Sequence, residues 1–464
     1  MIRFSLLFVS FFSVLFSYSQ PWPQVGQDID GESAEDWSGY STASSSDGGV
    51  IAIGAPFNNG GMSNGRGHVR VYEEVGGSWI QRGSDIDGIN VQDWFGFDVD
   101  MDASGTTLII GAPKFGNYAK VYDWDGLNWI QRGSDIASTM VDFGNQVEIS
   151  DDGLVIAISA PGGTSSGGVA SGRVILYNWD GTSWIQMGSA LDGLRPNGND
   201  GHSLSLNGNG HILAMASPTF DANYNGAARI FHWTGSSWIQ MGQTLIGNDR
   251  DHLRKVSLNT SGNRIAVGAY AANNDGTLLG ATCCGYGQAT VYDFDSINNY
   301  WFLAGQPINP IFSGRRFGSS VSLSGDGERL AISKDDSAFV YDWNGLTWNK
   351  LSHSVNGNGS DGFGKYQDGM ILSRNSQRLF VGAPLDSDGG FRAGHVRVFD
   401  LPASASQNPC IEVSPSADTL CAGESTTLTA SFPNSRWQNY YFEDFESGVS
   451  SEWSSSSTFS YEGS

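Results

Sequence analysis

One short aromatic phrase returns along this chain and dictates most of what it can fold into. It reads WIQRGSDI from Trp79 and again from Trp129, then drifts through WIQMGSAL at Trp184, WIQMGQTL at Trp238, WFLAGQPI at Trp301 and WNKLSHSV at Trp348. A further copy, WPQVGQDI from Trp22, stands in front with no unit before it. Successive tryptophans lie 47 to 63 residues apart. That spacing is too irregular for a solenoid with fixed rungs, but it suits units whose connecting loops vary in length.

Each unit contains four short β-type runs. In the second unit they are FGFDVDM, TLIIGAP, AKVYDWD and WIQRGSDI, rich in branched and aromatic residues. No stretch sustains a helical period. Turns such as DASG, DDG and GDG separate the first two runs, and DGLN, DGTS and NGLT the last two. They supply the Gly, Asn and Asp that hairpins need at left-handed positions. The 62 glycines, without a collagen period, fit a chain of many tight turns.

Four-stranded antiparallel units repeated radially predict an all-β protein, a β-propeller. The first run occurs near Ser38, Phe95, Phe143, Asp200, His252, Phe317 and Phe363, which gives seven blades. The last unit has no fourth run after Leu401, and the first fourth run has no unit before it. Residues 22–31 are therefore predicted to be the outer strand of the seventh blade. Closing the ring with the N-terminal strand would leave no open edge between first and last blades.

The flanks differ from the repeats. Arg3, the apolar run Phe4–Phe16 and the small residues Ser17 and Ser19 predict a secretory signal over residues 1–19, placing the mature chain outside the cell or at its surface. No later run is long enough to enter a bilayer. The net charge of −23 argues against nucleic acid and anionic lipid as partners. The propeller is expected over residues 20–402, a Ser/Pro-rich linker over 403–409, and further modules over 410–464. Cys410 and Cys421 are the simplest disulfide pair. Adjacent Cys283 and Cys284 could be free thiols, an interchain link or a strained loop bond.

Phe95-Gly96 followed by Gly111-Ala112-Pro113 resembles the FG-GAP repeats of integrin-α-like propellers, in the versions found on exported proteins of Bacteroidetes-type bacteria. Gly54-Ala55-Pro56 and Gly382-Ala383-Pro384 match the same pattern, while Ser217-Pro218 and Gly268-Ala269-Tyr270 drift from it. The resemblance covers roughly residues 22–401. The stretch CIEVSPSADTLCAGESTTLTASFP resembles the opening of immunoglobulin-like modules, and YYFEDFESGVSSEW the first strand of a MAM-type jelly roll. Neither module is complete by Ser464, which suggests a piece of a longer surface protein. The family resemblance implies recognition or adhesion, with calcium in Asp-rich hairpins between the first two strands. Here those hairpins are short and carry only one or two acids each.

A repeat supplies its own control: residues present in most blades serve the fold, and residues present in one blade are candidates for something else. The Trp and Gln of the W-x-Q phrase fall in the first class and are expected to pack and hydrogen-bond between blades. In the second class, Asp98, Asp100 and Asp102 alternate along one strand, which would put three carboxylates on one side, as a solvated channel edge or a metal site. Asp386 and Asp388 form the other candidate metal loop. Arg315-Arg316 stands where other blades carry acidic or neutral residues, a place for an anionic ligand or a surface ion pair. With Trp94, these arginines are the binding candidates. No G-x-S-x-G, H-E-x-x-H or phosphate-binding loop occurs, so no catalytic residue is assigned. The sequence therefore reads as a non-enzymatic module presenting variable loops (57–68, 162–172, 219–226, 270–287, 385–394) to a glycan or protein. The alternatives are a carbohydrate-active enzyme, whose carboxylates would converge from different blades, and a passive spacer.

Overall fold

A computed structural model describes residues 22–404 apart from 60, 221–223, 249–250, 273–285, 311–315, 360 and 365–367. It also describes three short strands further on, at Glu412–Pro415, Thr426–Ser431 and Thr458–Tyr461. Those three strands pair antiparallel as one small sheet. Residues 1–19, Cys283, Cys284, Arg315, Cys410 and Cys421 lie outside the described residues.

The predicted architecture is present: seven antiparallel sheets, and among the described residues a single four-residue helix, Gly61–Asn64. The blades are numbered here in chain order. Their innermost strands are Ser41–Ser44, Asp98–Met101, Val147–Ile149, Ser203–Leu206, Leu253–Leu258, Val321–Leu323 and Met370–Leu372. Each touches the innermost strand of the next blade, and the seventh touches the first, so the ring is closed. The closure is the one read from sequence. Ile29–Asp30 pairs with His395–Asp400, a bridge joins Gln24 to Phe399, and Val25 N–H donates to Val398 O at 2.8 Å.

The core is not inside the blades but between them. Seven apolar clusters each combine the facing sheets of two neighbouring blades; the cluster across the seam joins Val25, Ile29, Phe380 and Val396 to Ile51, Ile53 and Trp79. The Phe of each Phe-Gly, as at Phe95, Phe143, Phe317 and Phe363, is fully buried there. The glycines of the motif meet across the same boundary. A Cβ on Gly111 would lie 2.2 Å from Gly144 O of the next blade, and one on Gly382 would lie 2.1 Å from Gly39 O. Close backbone approach between blades is thus the physical reason for both halves of the motif.

The fourth run of each regular blade proves to be two short pieces, as at Trp129–Gln131 and Ile136–Ala137, both paired with the same strand Tyr118–Trp124. Gly133 turns the chain between them at φ 73°, and a Cβ there would sit 2.9 Å from the Trp179 ring of the following blade. The W-x-Q expectation divides accordingly. The Trp does join blades: Trp79, Trp129, Trp238, Trp301 and Trp348 each donate from Nε1 to a carbonyl of the preceding blade, at 2.8–3.0 Å. The Gln does not. Gln81 and Gln131 bond only to residues two and four positions on, closing the local turn.

Candidate functional site

The innermost strands line a central funnel with two levels of inward side chains. Ser41, Asp98, Ser203 and Lys255 sit opposite the same position of their neighbouring strands, and Ala43, Asp100, Glu148, Ser205, Ser257 and Ser322 lie two residues deeper. Period-two alternation turns both levels the same way. Most of these side chains accept a backbone N–H from the next blade. Ser205, Ser257 and Ser322 accept from Leu258, Leu323 and Leu372, all at 2.9 Å. In blades 2 and 3 carboxylates do the same work: Asp98 accepts from Val147 (2.8 Å), Asp100 from Ile149 (2.8 Å) and Glu148 from Leu206 (2.9 Å).

A fourth acid joins them. Three extra residues separate Phe363-Gly364 from the strand of blade 7, and after them Asp368 pairs with Lys255 of blade 5 and accepts from Gln146 Nε2 at 3.2 Å. Four carboxylates thus share the funnel with the Lys255 ammonium. For Asp98, Asp100 and Glu148, desolvation in this narrow space is the largest influence and disfavours the charged form. Asp98 and Glu148 are held well above the ordinary carboxylate range, each with a like charge (Asp368 and Asp100 respectively) as the next cause. Asp100 is pushed up to about 7. Asp98 Oδ1 is buried without a hydrogen-bond partner.

At its far end the funnel is cinched by backbone. Ser46, Ala103, Asp151, Gly208, Thr260 and Gly325 each donate N–H to the corresponding hairpin of the next blade, and Asn375 returns to Ser46 O at 3.0 Å. Arg374 Nε crosses this ring to Asp151 Oδ1 at 2.9 Å. The opposite end is the mouth, bounded by the residues leading into each blade and by loops between second and third strands.

At the mouth, the residue just ahead of the Phe-Gly position has left-handed backbone in every blade: Trp37, Trp94, Asp142, Asn199, His252, Arg316 and Gly362, with φ between 49° and 73°. Gly, Asn and Asp take that conformation cheaply, whereas other side chains pay about 1 kcal/mol or more. Trp37 is buried, packed edge-on against Phe57 at 5.0 Å. Trp94, His252 and Arg316 are half-exposed. Trp94 stacks on Phe97 at 5.9 Å under the Lys114 ammonium (4.9 Å), and Tyr40 lies 5.0 Å beyond Phe97. Across the mouth, His252 lies between Tyr224 and Tyr270 at 5.6 and 5.5 Å. In blade 5 no glycine follows Leu253; Arg254 and Lys255 come directly, with a register shift. Arg254 packs on Tyr270 at 5.2 Å, and its Nη2 lies 3.3 Å from His202 Nε2. One wall of the mouth is therefore aromatic, and the other combines aromatic rings with cations.

The residues singled out from sequence are scattered by this geometry. Trp94 and Arg316 share the lead-in position. Asp98 and Asp100 face the funnel, but Asp102 does not join them, which corrects the expectation of three carboxylates on one side. It lies past the strand end and caps the hairpin, accepting from Thr106 N–H (2.7 Å) and Thr107 N–H (2.8 Å). Asp386 accepts Asp388 N–H at 2.8 Å and faces His395 Nδ1 at 3.2 Å in a loop of blade 7. The set compact enough to hold a metal, among the described residues, was missed from sequence. It is Glu32, His68 and Asp85, with ligand atoms within 4.8 Å of one another. Its signal is a His heading the third strand, found only in blade 1 (His68) and blade 7 (His395). Arg70 Nη1, 3.8 Å from Glu32, opposes a cation there, and burial holds His68 down to about 4.

A solved chain from Kuenenia stuttgartiensis hydrazine synthase superposes on 81% of this chain and 97% of its own, with a TM-score of 0.53 and 13% identity. The likeness is one of fold. No protein-family model matches the chain, and no curated protein does.

Proposed function

We propose that this chain is an exported FG-GAP-type propeller that recognises a glycan or protein at the funnel mouth without chemically altering it. The lead-in position carries this reading. Blades 3, 4 and 7 fill a left-handed site with Asp142, Asn199 and Gly362, the residues it tolerates best, while blades 2, 5 and 6 hold Trp94, His252 and Arg316 there, half-exposed. Strain is kept at four of the seven equivalent positions; Trp37 is buried in packing, but the other three open on one surface, which is the pattern of a binding rim rather than of a spacer. An aromatic wall offers stacking to a sugar face or an apolar side chain. The signal-like N-terminus and the acidic composition support an extracellular setting.

Co-sedimentation of the purified chain with insoluble polysaccharides, scored together with released sugar, tests the proposal. Saturable binding without release, weakened at least tenfold by Trp94→Gly, is the expected result. Release of sugar would instead favour the second reading, a carbohydrate-active enzyme. Its support is the set of Asp98, Asp100, Glu148 and Asp368, acids from three blades that share one funnel, the first three with raised proton affinity. Against it, three of the four already accept a backbone N–H that hydroxyls accept in other blades.

A further inference from the structure

Among the described residues, many arginines of this propeller sit against a carboxylate; Arg82 and Arg397, which donate to backbone carbonyls instead, and the half-buried Arg254 at the mouth do not. Arg229 pairs with Asp200 at 2.5 Å, Arg264 with Asp293 at 2.5 Å, Arg329 with Asp342 at 2.6 Å and Arg132 with Asp123 at 2.6 Å. In a chain with 48 acidic and 25 basic residues, a carboxylate partner is easily found. Arg254 has none among the described residues. Its neighbours are the Tyr270 ring and His202, and neither neutralises a guanidinium. His202 is itself held neutral: burial foremost, then the Arg254 and Lys255 charges, push it down to about 3. Arg316, also without a carboxylate among the described residues, stands close enough that its charge works against that of Arg254. Lys255 is already engaged by Asp368.

Two guanidinium groups on neighbouring blades of a partly desolvated mouth repel, and a shared anion would relieve both. The planar fork of each suits two oxygens of a carboxylate or sulfate. We propose that Arg254 and Arg316 together form a binding site for a single anionic oxygen group, a uronate carboxylate or a sulfate ester, carried on an otherwise neutral glycan. The sugar bearing it would lie against Tyr224 and Tyr270, whose rings flank His252. A dense polyanion is excluded, because the net charge of −23 repels it outside the few ångströms that the arginines control. This inference rests on the recognition reading above and names its ligand class.

The test uses the full chain and two matched pairs of polymers: glucuronoxylan against the same polymer with its carboxyls reduced to alcohols, and a sparsely sulfated galactan against its desulfated form. The acidic member of one pair should bind at least tenfold more tightly, and the responsive pair identifies carboxylate or sulfate. Arg316→Gly, placed where the backbone favours glycine, should fold normally yet lose that preference, and Arg254→Met should lose it as well. Equal binding of acidic and neutral members, or a preference that survives Arg316→Gly, overturns the anion site while leaving recognition at the mouth intact. Absence of binding to all four polymers, with binding elsewhere in a wider panel, overturns the ligand class; absence throughout the panel removes the recognition reading itself.

Discussion

The two ends of the funnel are built by opposite logics. At the hairpin end every blade repeats one device: Ser45, Asp102, Ser150, Asn207, Asn259, Ser324 and Ser373 each accept, at 2.8–3.0 Å, the N–H five residues on. Five arginines then tie a blade to the next hairpin. Arg82, Arg132, Arg264, Arg329 and Arg378 all donate from Nη1 to a hairpin carbonyl of the following blade. The first two come from fourth strands and the last three from second strands, so different positions converge on the same bond. At the mouth the backbone repeats just as strictly, yet the side chains on it do not. Where chemistry is uniform the fold is being secured, and where backbone is uniform but chemistry diverges, the fold is displaying something.

The strongest way to break that contrast is Arg329→Met. Arg329 is fully buried, paired with Asp342 through two nitrogens (2.6 and 2.9 Å), and bonded to Ser376 O and Pro402 O. Its removal leaves Asp342 buried and unpaired, a change that costs about 3–5 kcal/mol. A chemical denaturation midpoint close to that of the parent would mean that the hairpin end is not held as described.

The repeat explains how much of this was readable beforehand. Blade number, ring closure at Trp22–Gly31 and the inter-blade tryptophans all follow from a period, and a period is visible in one dimension. The hidden parts are those that break it. Gln146 and Asp368 are 222 positions apart, and Lys255 and Asp368 113, so no local pattern announces that they meet. Asp368 reaches the funnel because of an insertion, and Arg254 because a repeat glycine is missing. Asp98 and Asp100 look like a ligand set in sequence; only the structure shows Ser205 and Ser257 accepting equivalent backbone bonds in other blades. The alternation that grouped Asp102 with them failed because the strand ends at Met101.

Asp100 permits a smaller test, on the funnel between the two ends. Its folded-state pKa of about 7 lies above the ordinary unfolded value near 4. The native state therefore binds the extra proton, and the stability it contributes is complete below about pH 4 and is lost as pH rises through about 7. Asp100→Asn keeps an acceptor for Ile149 N–H and removes the titration. Thermal melts should show the variant gaining on the parent between pH 5 and pH 8. A difference that is the same at both pH values would mean that Asp100 does not titrate between them in the folded chain.

The smallest expected change sharpens the comparison most, because it asks whether the mouth is constrained by folding at all. His252→Gly places the residue best suited to φ 49° at a position where blade 7 already has Gly362. Relief of backbone strain, about 1 kcal/mol, opposes the loss of ring contacts with Tyr224 and Tyr270 and the greater freedom of glycine in the unfolded chain. The denaturation midpoint should therefore move by less than about 1 kcal/mol in either direction. A loss as large as that of Arg329→Met would make His252 part of the scaffold, and the divergence of the lead-in residues would then record packing rather than display. A midpoint that holds while ligand affinity falls would separate the two roles at a single residue.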